Sequence, residues 1–115
     1  TSKMSIGTYD PALVDFLLEN RIAQAVLRIL IKQGSERPER WVKVPDVLKE
    51  LKQVEEFRKC KNLRSTTHYF CKRLYEKYAA IDRHISKRPV YYRITDKGEA
   101  HLTKTQNVRK EKGEG

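Results

Sequence analysis

Arg64, Ser65, Thr66, His68, Tyr69, Lys72 and Arg73 fall within ten consecutive residues of the chain. Together they offer a guanidinium fork, ammonium and imidazole nitrogens, short hydroxyls and a phenol ring. Base edges and phosphates accept bonds from Arg and Lys, exchange them with Ser, Thr and His, and stack on Tyr. Arg64 and Lys72 suit guanine best, Arg64 in a bidentate grip. Taken singly, any of the seven could equally touch a phosphate or stand in solvent.

A second set, Cys60, His68, Cys71 and His84, contains the two side-chain types zinc prefers. Its spacing lacks the close ligand pairs of a zinc site, and on a helix His68 and Cys71 project about 60° apart. No metal and no other cofactor is expected, and Cys71 reads as a small core residue. The alternative use of the two thiols is a single Cys60–Cys71 bridge. No Gly-rich phosphate loop, Ser-centred elbow or paired carboxylates in an apolar setting occurs, so no enzyme is expected. His101 reads as a lone exposed histidine.

The charge pattern favours the first set. Residues 58–93 hold eleven Lys or Arg against Glu76 and Asp82, a net +9 in 36 residues, out of +10 for the whole chain of 115. Such a contiguous block is the electrostatic footprint of a nucleic-acid contact, with a solvated charged face as the bland alternative. At 115 residues, 35% charged and 38% apolar, the chain has length for one core. Its longest apolar tract, residues 22–31, is interrupted by Gln24 and Arg28. Neither a membrane span nor a signal peptide is expected, which makes a cytoplasmic, nucleoid-associated protein the expected class.

The elements that must position these residues follow from spacing. Residues 1–9 have no periodicity and read as a flexible arm. Asp10-Pro11 starts a helix that can run to Gln33, with Gly34 as its stop and Asn20 as the place where it would divide. Leu13, Phe16, Asn20, Ala23, Leu27 and Leu30 form a heptad-like seam, while Ile22, Val26 and Ile29 lie on another side. One small core covers one stripe, so the seam is expected to make a homodimer with Asn20 facing its copy; complete burial within one chain is the alternative.

Residues 35–40 read as a polar loop and 41–44 as a very short strand. Pro45-Asp46 opens a second helix with Val47, Leu48, Leu51 and Val54 at helical spacing. A third helix, about 63–78, turns Leu63, Thr67, Phe70, Cys71, Leu74 and Tyr78 to one side. Ser65, His68, Tyr69, Lys72 and Glu76 fall on the other, with Arg64, Thr66 and Arg73 on the flanks. Ile81, Arg83 and Ile85 alternate with Asp82 and His84, Ser86-Lys87-Arg88-Pro89 makes a turn, and residues 90–94 return as a strand. Thr95 caps a closing helix carrying Ala100 and Leu102, and residues 104–115 read as a disordered basic tail.

Helix, short strand, two helices, hairpin and closing helix, carried by RSTTHYFCKRLYEKYAAIDRH (64–84) and PVYYRITDKGEAHL (89–102), resembles the winged helix-turn-helix family of DNA-binding transcription regulators. Leu74, Glu76, Lys77 and Ile81 match the end of that family's third helix. Tyr91, Tyr92, Ile94, Thr95, Lys97 and Gly98 match the close of its wing. The resemblance covers about residues 22–103, and composition makes small archaeal or archaeal-virus members the most similar. Two departures stand out. The link from the second helix to the third is long, which calls for an extended helix or an inserted turn. Tyr78-Ala79-Ala80 also stands where many members have Gly.

The resemblance implies an α+β, mostly α domain over residues 10–103, a three-helix core plus a two-stranded wing. It implies a sequence-specific regulator of double-stranded DNA, without membrane or small-molecule partner. The third helix would read the major groove through Arg64, Ser65, Thr66, His68, Tyr69, Lys72 and Arg73. The wing, residues 81–94, would hold the backbone or minor groove through Arg83, Lys87 and Arg88. Two competitors remain: a winged-helix protein-interaction module using the apolar first helix, and a sequence-independent architectural DNA coat.

Overall fold

Asp10 begins the first element as a cap. Its Oδ1 accepts from the Ala12 and Leu13 N–H groups at 3.1 and 3.3 Å, and Pro11 takes the first helical position. The computed structural model describes residues 10–84 and 90–111, with side chains as far as residue 107. The first helix, α1 (Pro11–Glu19), ends where Asn20 turns extended and donates its Nδ2 to the Phe16 carbonyl at 2.8 Å. Helix α2 (Arg21–Gly34) restarts at once. The long apolar helix is therefore two helices, divided at its weakest helix former.

A tight turn at Pro38–Arg40 leads into β1 (Val42–Lys43) and then α3 (Val44–Gln53). Val54, expected on the apolar face of that helix, instead lies past its end and is 38% exposed. The long link is resolved by an inserted one-turn helix, α4 (Glu55–Arg58), pinned by buried Phe57. Helix α5 (Leu63–Glu76), strands β2 (Ile81–His84) and β3 (Tyr91–Ile94), and helix α6 (Asp96–Glu111) complete the order. Among the described residues the fold is a compact, mostly helical α+β unit of six helices and one small antiparallel sheet. Its strand order is β1-β3-β2.

Helix α2 is the axis of the core and touches α1, α3, α5, α6, β1 and β3. Val26, Leu27 and Leu30 meet Leu51 from α3, Leu74 from α5 and Ile81 from the sheet, all essentially without solvent exposure. Side chains of this size each contribute about 1.5–3 kcal/mol on burial. Both apolar stripes of the first two helices are thus used inside the chain.

Three tight features fasten the hairpin to the closing helix. Ala79 takes φ 53°, the left-handed region that glycine enters without strain. Thr95 caps α6, its Oγ1 accepting from Gly98 N–H at 3.1 Å and donating to the Ala79 carbonyl at 2.9 Å. Gly98 lies so close to Ala80 that an added Cβ would stand 2.1 Å from its carbonyl oxygen.

Two expectations are corrected at the closing helix. Residues from Lys104 continue α6 to Glu111, and Thr105 is fully buried with its hydroxyl donating to the His101 carbonyl at 2.8 Å. His101 is buried: Nδ1 donates to the Lys97 carbonyl at 2.8 Å, and Nε2 accepts from Asp10 N–H at 2.9 Å. The expected arm at residues 1–9, Ile85 of the expected strand and the hairpin turn at 86–89 lie outside the described residues, as do residues 112–115. Among the described residues no helix is long and apolar enough to cross a membrane.

Candidate nucleic-acid interface

Helix α5 is held on the core by Leu63, Thr67, Cys71 and Leu74, all buried and spaced three or four residues apart. That spacing turns Ser65, His68, Tyr69 and Lys72 outward, and each is exposed, Tyr69 by 53%. Arg64 is also exposed, while Thr66 and Arg73 are half-buried on the flanks. Tyr69 is braced from two sides: Phe70 packs at 5.5 Å between ring centroids and the Arg73 guanidinium lies 5.4 Å over its ring. Seven predicted contact residues are therefore gathered on one helix, five of them exposed and Thr66 and Arg73 half-buried, the Arg73 Nε fully so.

The surroundings of the helix start are positive. No acidic residue occupies the first turn of α5, and Asn62 makes no side-chain cap bond, so the first N–H groups keep their positive helix end. Arg58, Lys59 and Lys61 are exposed in the link just before it. Arg64 and His68 share a groove of about 540 Å³ with Lys52 of α3, above the apolar Val44, Leu48 and Val90. Lys52 is a basic neighbour that sequence spacing missed, because its approach to α5 is a tertiary contact.

Arg83 is exposed on β2, opposite Tyr92 in the ladder. Lys87 and Arg88, expected at the hairpin tip, lie outside the described residues. Cys60 and Cys71 are both free thiols. Burial pushes the Cys71 thiol up to about 12. Cys60, His68, Cys71 and His84 do not converge; among the described residues no three His, Cys, Asp or Glu side chains cluster as metal ligands would.

The dimerisation seam is corrected residue by residue. Leu13, Ala23, Leu27 and Leu30 are at most 1% exposed within this one chain. Phe16 packs on Phe70 at 5.7 Å and Tyr78 at 5.1 Å, and Asn20 spends its amide on the Phe16 carbonyl. A heptad pattern cannot tell a partner helix from the chain's own core, and here α5 and α6 supply the cover.

No protein-family model, curated protein or solved structure matches this chain.

Proposed function

We propose that this chain is a winged helix-turn-helix domain that binds double-stranded DNA sequence-specifically and acts as a transcription regulator. Helix α5 would enter the major groove and the β2–β3 hairpin would hold the backbone or minor groove. The exposed stripe of Ser65, His68, Tyr69 and Lys72, flanked by Arg64 and backed by buried Leu63, Thr67, Cys71 and Leu74, carries this proposal. A stripe of short polar groups, a ring and cations is suited to base edges, where a purely electrostatic coat would need only Lys and Arg. The order α2, β1, α3, α5, β2, β3, with α4 inserted before α5 and β3 between the other strands, supports this reading. A second copy, if recruited, joins through a surface other than the buried seam, so one α5 addressing one half-site is the unit of recognition.

Selection from a pool of random duplexes over a salt series tests this directly. The expected result is an enriched motif with affinity falling steeply as salt rises. Binding without enrichment would replace the regulator with an architectural coat. No binding even at low salt would leave the interaction module. On the selected duplex, Arg64→Ala is expected to cost about 1–3 kcal/mol and to relax the preference at one base pair. A loss equal across all sequences would make Arg64 a phosphate contact.

A further inference from the structure

The sheet has a second face that the α5 site does not use. Val42, Ile81, Tyr92 and Ile94 point into the core, so strand alternation turns Lys43, Asp82, His84, Tyr91 and Arg93 outward. The ladder sets Lys43, Tyr91 and His84 in one row, with Arg93 opposite Asp82 in the next. Trp41, just ahead of β1, completes the patch: the Arg93 guanidinium lies 4.4 Å over its ring, and the His84 ring meets its edge at 5.0 Å.

Arg93 is the centre of this arrangement. Its Nε is 3.4 Å from Asp82 Oδ2 and its Nη1 donates to the Glu39 carbonyl at 3.3 Å. These two contacts and the indole beneath it fix where the guanidinium sits. The side chain stays 38% exposed. The bond to Glu39 also ties down a turn in which Glu39 and Arg40 both take left-handed backbone angles, φ 59° and 65°. That turn brings exposed Arg40 close to Trp41 in the chain.

We propose that this outward sheet face is a stacking platform for an unpaired nucleic-acid strand, distinct from the α5 face. Bases stack on guanidinium planes and aromatic rings, and the Arg93–Trp41 pair and Tyr91 supply both. Lys43, Arg40 and Arg93 against Asp82 and Glu39 leave one net positive charge for the phosphates. A duplex cannot stack on this face, because its base faces are already covered.

Trp41 is the only tryptophan, so its fluorescence reports on the platform alone. The whole chain is titrated with oligodeoxyuridylate, with oligouridylate and with an abasic deoxyribose-phosphate strand, each about twelve nucleotides long. Strands carrying bases are expected to quench Trp41 and to bind about tenfold more tightly than the abasic strand. Arg93→Lys, which keeps the charge but loses the plane, is expected to remove about tenfold in affinity, and Tyr91→Leu a similar amount. Lys72→Ala on α5 should leave the quenching unchanged, so a failed duplex experiment and a failed platform are told apart. A response to one of the two base-bearing strands supports the platform and assigns the sugar. Equal binding of the abasic strand, full affinity in folded Arg93→Lys and Tyr91→Leu, or quenching lost in Lys72→Ala overturns it.

Discussion

Thr67 shows how a single atom on the inner side of α5 matters. Its hydroxyl is buried with no hydrogen-bond partner among the described residues, on the helix turn that carries His68 and Tyr69 outward. A desolvated, unpaired hydroxyl costs stability, and valine keeps its shape. Thr67→Val is expected to raise the unfolding free energy by about 1 kcal/mol in a urea titration, with DNA binding unchanged. Cys71, one turn further along, is held as the neutral thiol because burial raises its pKa from 9.0 to about 12. Burial raises Tyr92 in the same direction, with Cys71 close by. A raised folded-state pKa means that the folded chain keeps a proton the unfolded chain releases. The stabilisation is complete below pH 9.0 and drains away as pH climbs toward about 12. Denaturant midpoints across that window should fall, and a Cys71→Val chain should lose part of the decline. At neutral pH a thiol reagent should modify half-buried Cys60 well before Cys71.

Among the elements, the corner between α5 and the hairpin sets how the two halves of the interface face each other. Ala79 carries a left-handed backbone that glycine would adopt without a Cβ clash, so Ala79→Gly should stabilise the chain by about 1 kcal/mol in thermal unfolding. Gly98 is the converse case. Its missing Cβ lets α6 sit against the Ala80 carbonyl, and Gly98→Ala should cost about 3 kcal/mol. The same corner explains what could be read from sequence. The Thr95 cap was legible because a helix start demands a particular residue type at that step, whereas the close approach at Gly98 shows only in the packing. The outward stripe of α5 was legible because its period is local. Val54 was misplaced because an apolar residue at helical spacing does not reveal where a helix stops. The inserted α4 turn could be required from length, but its anchor, Phe57, could not.

At the scale of the molecule, the first and last described helices pack on each other. Asp10 N–H meets His101 Nε2 at 2.9 Å, and Asp10 Oδ2 accepts from Lys97 at 3.2 Å, joining α1 to α6 across most of the sequence. Desolvation works to raise the Asp10 pKa, but the Lys97 bond and the Leu13 and Ala12 N–H groups outweigh it and hold the carboxyl below its usual range. This closure was invisible in the sequence: a lone histidine and a polar tail look solvated until a distant helix packs on them. It is also why the apolar seam on α1 and α2 found its cover inside the chain. The outer side of α5 and the basic link between α4 and α5 stay exposed. The measurement that tests the central claim most directly is a titration of isotope-labelled protein with its selected duplex, following each backbone amide by NMR. Shifts centred on residues 63–73, with weaker ones along the hairpin, are the predicted result. Shifts confined to α2, α3 and α4, with α5 unmoved, would contradict it.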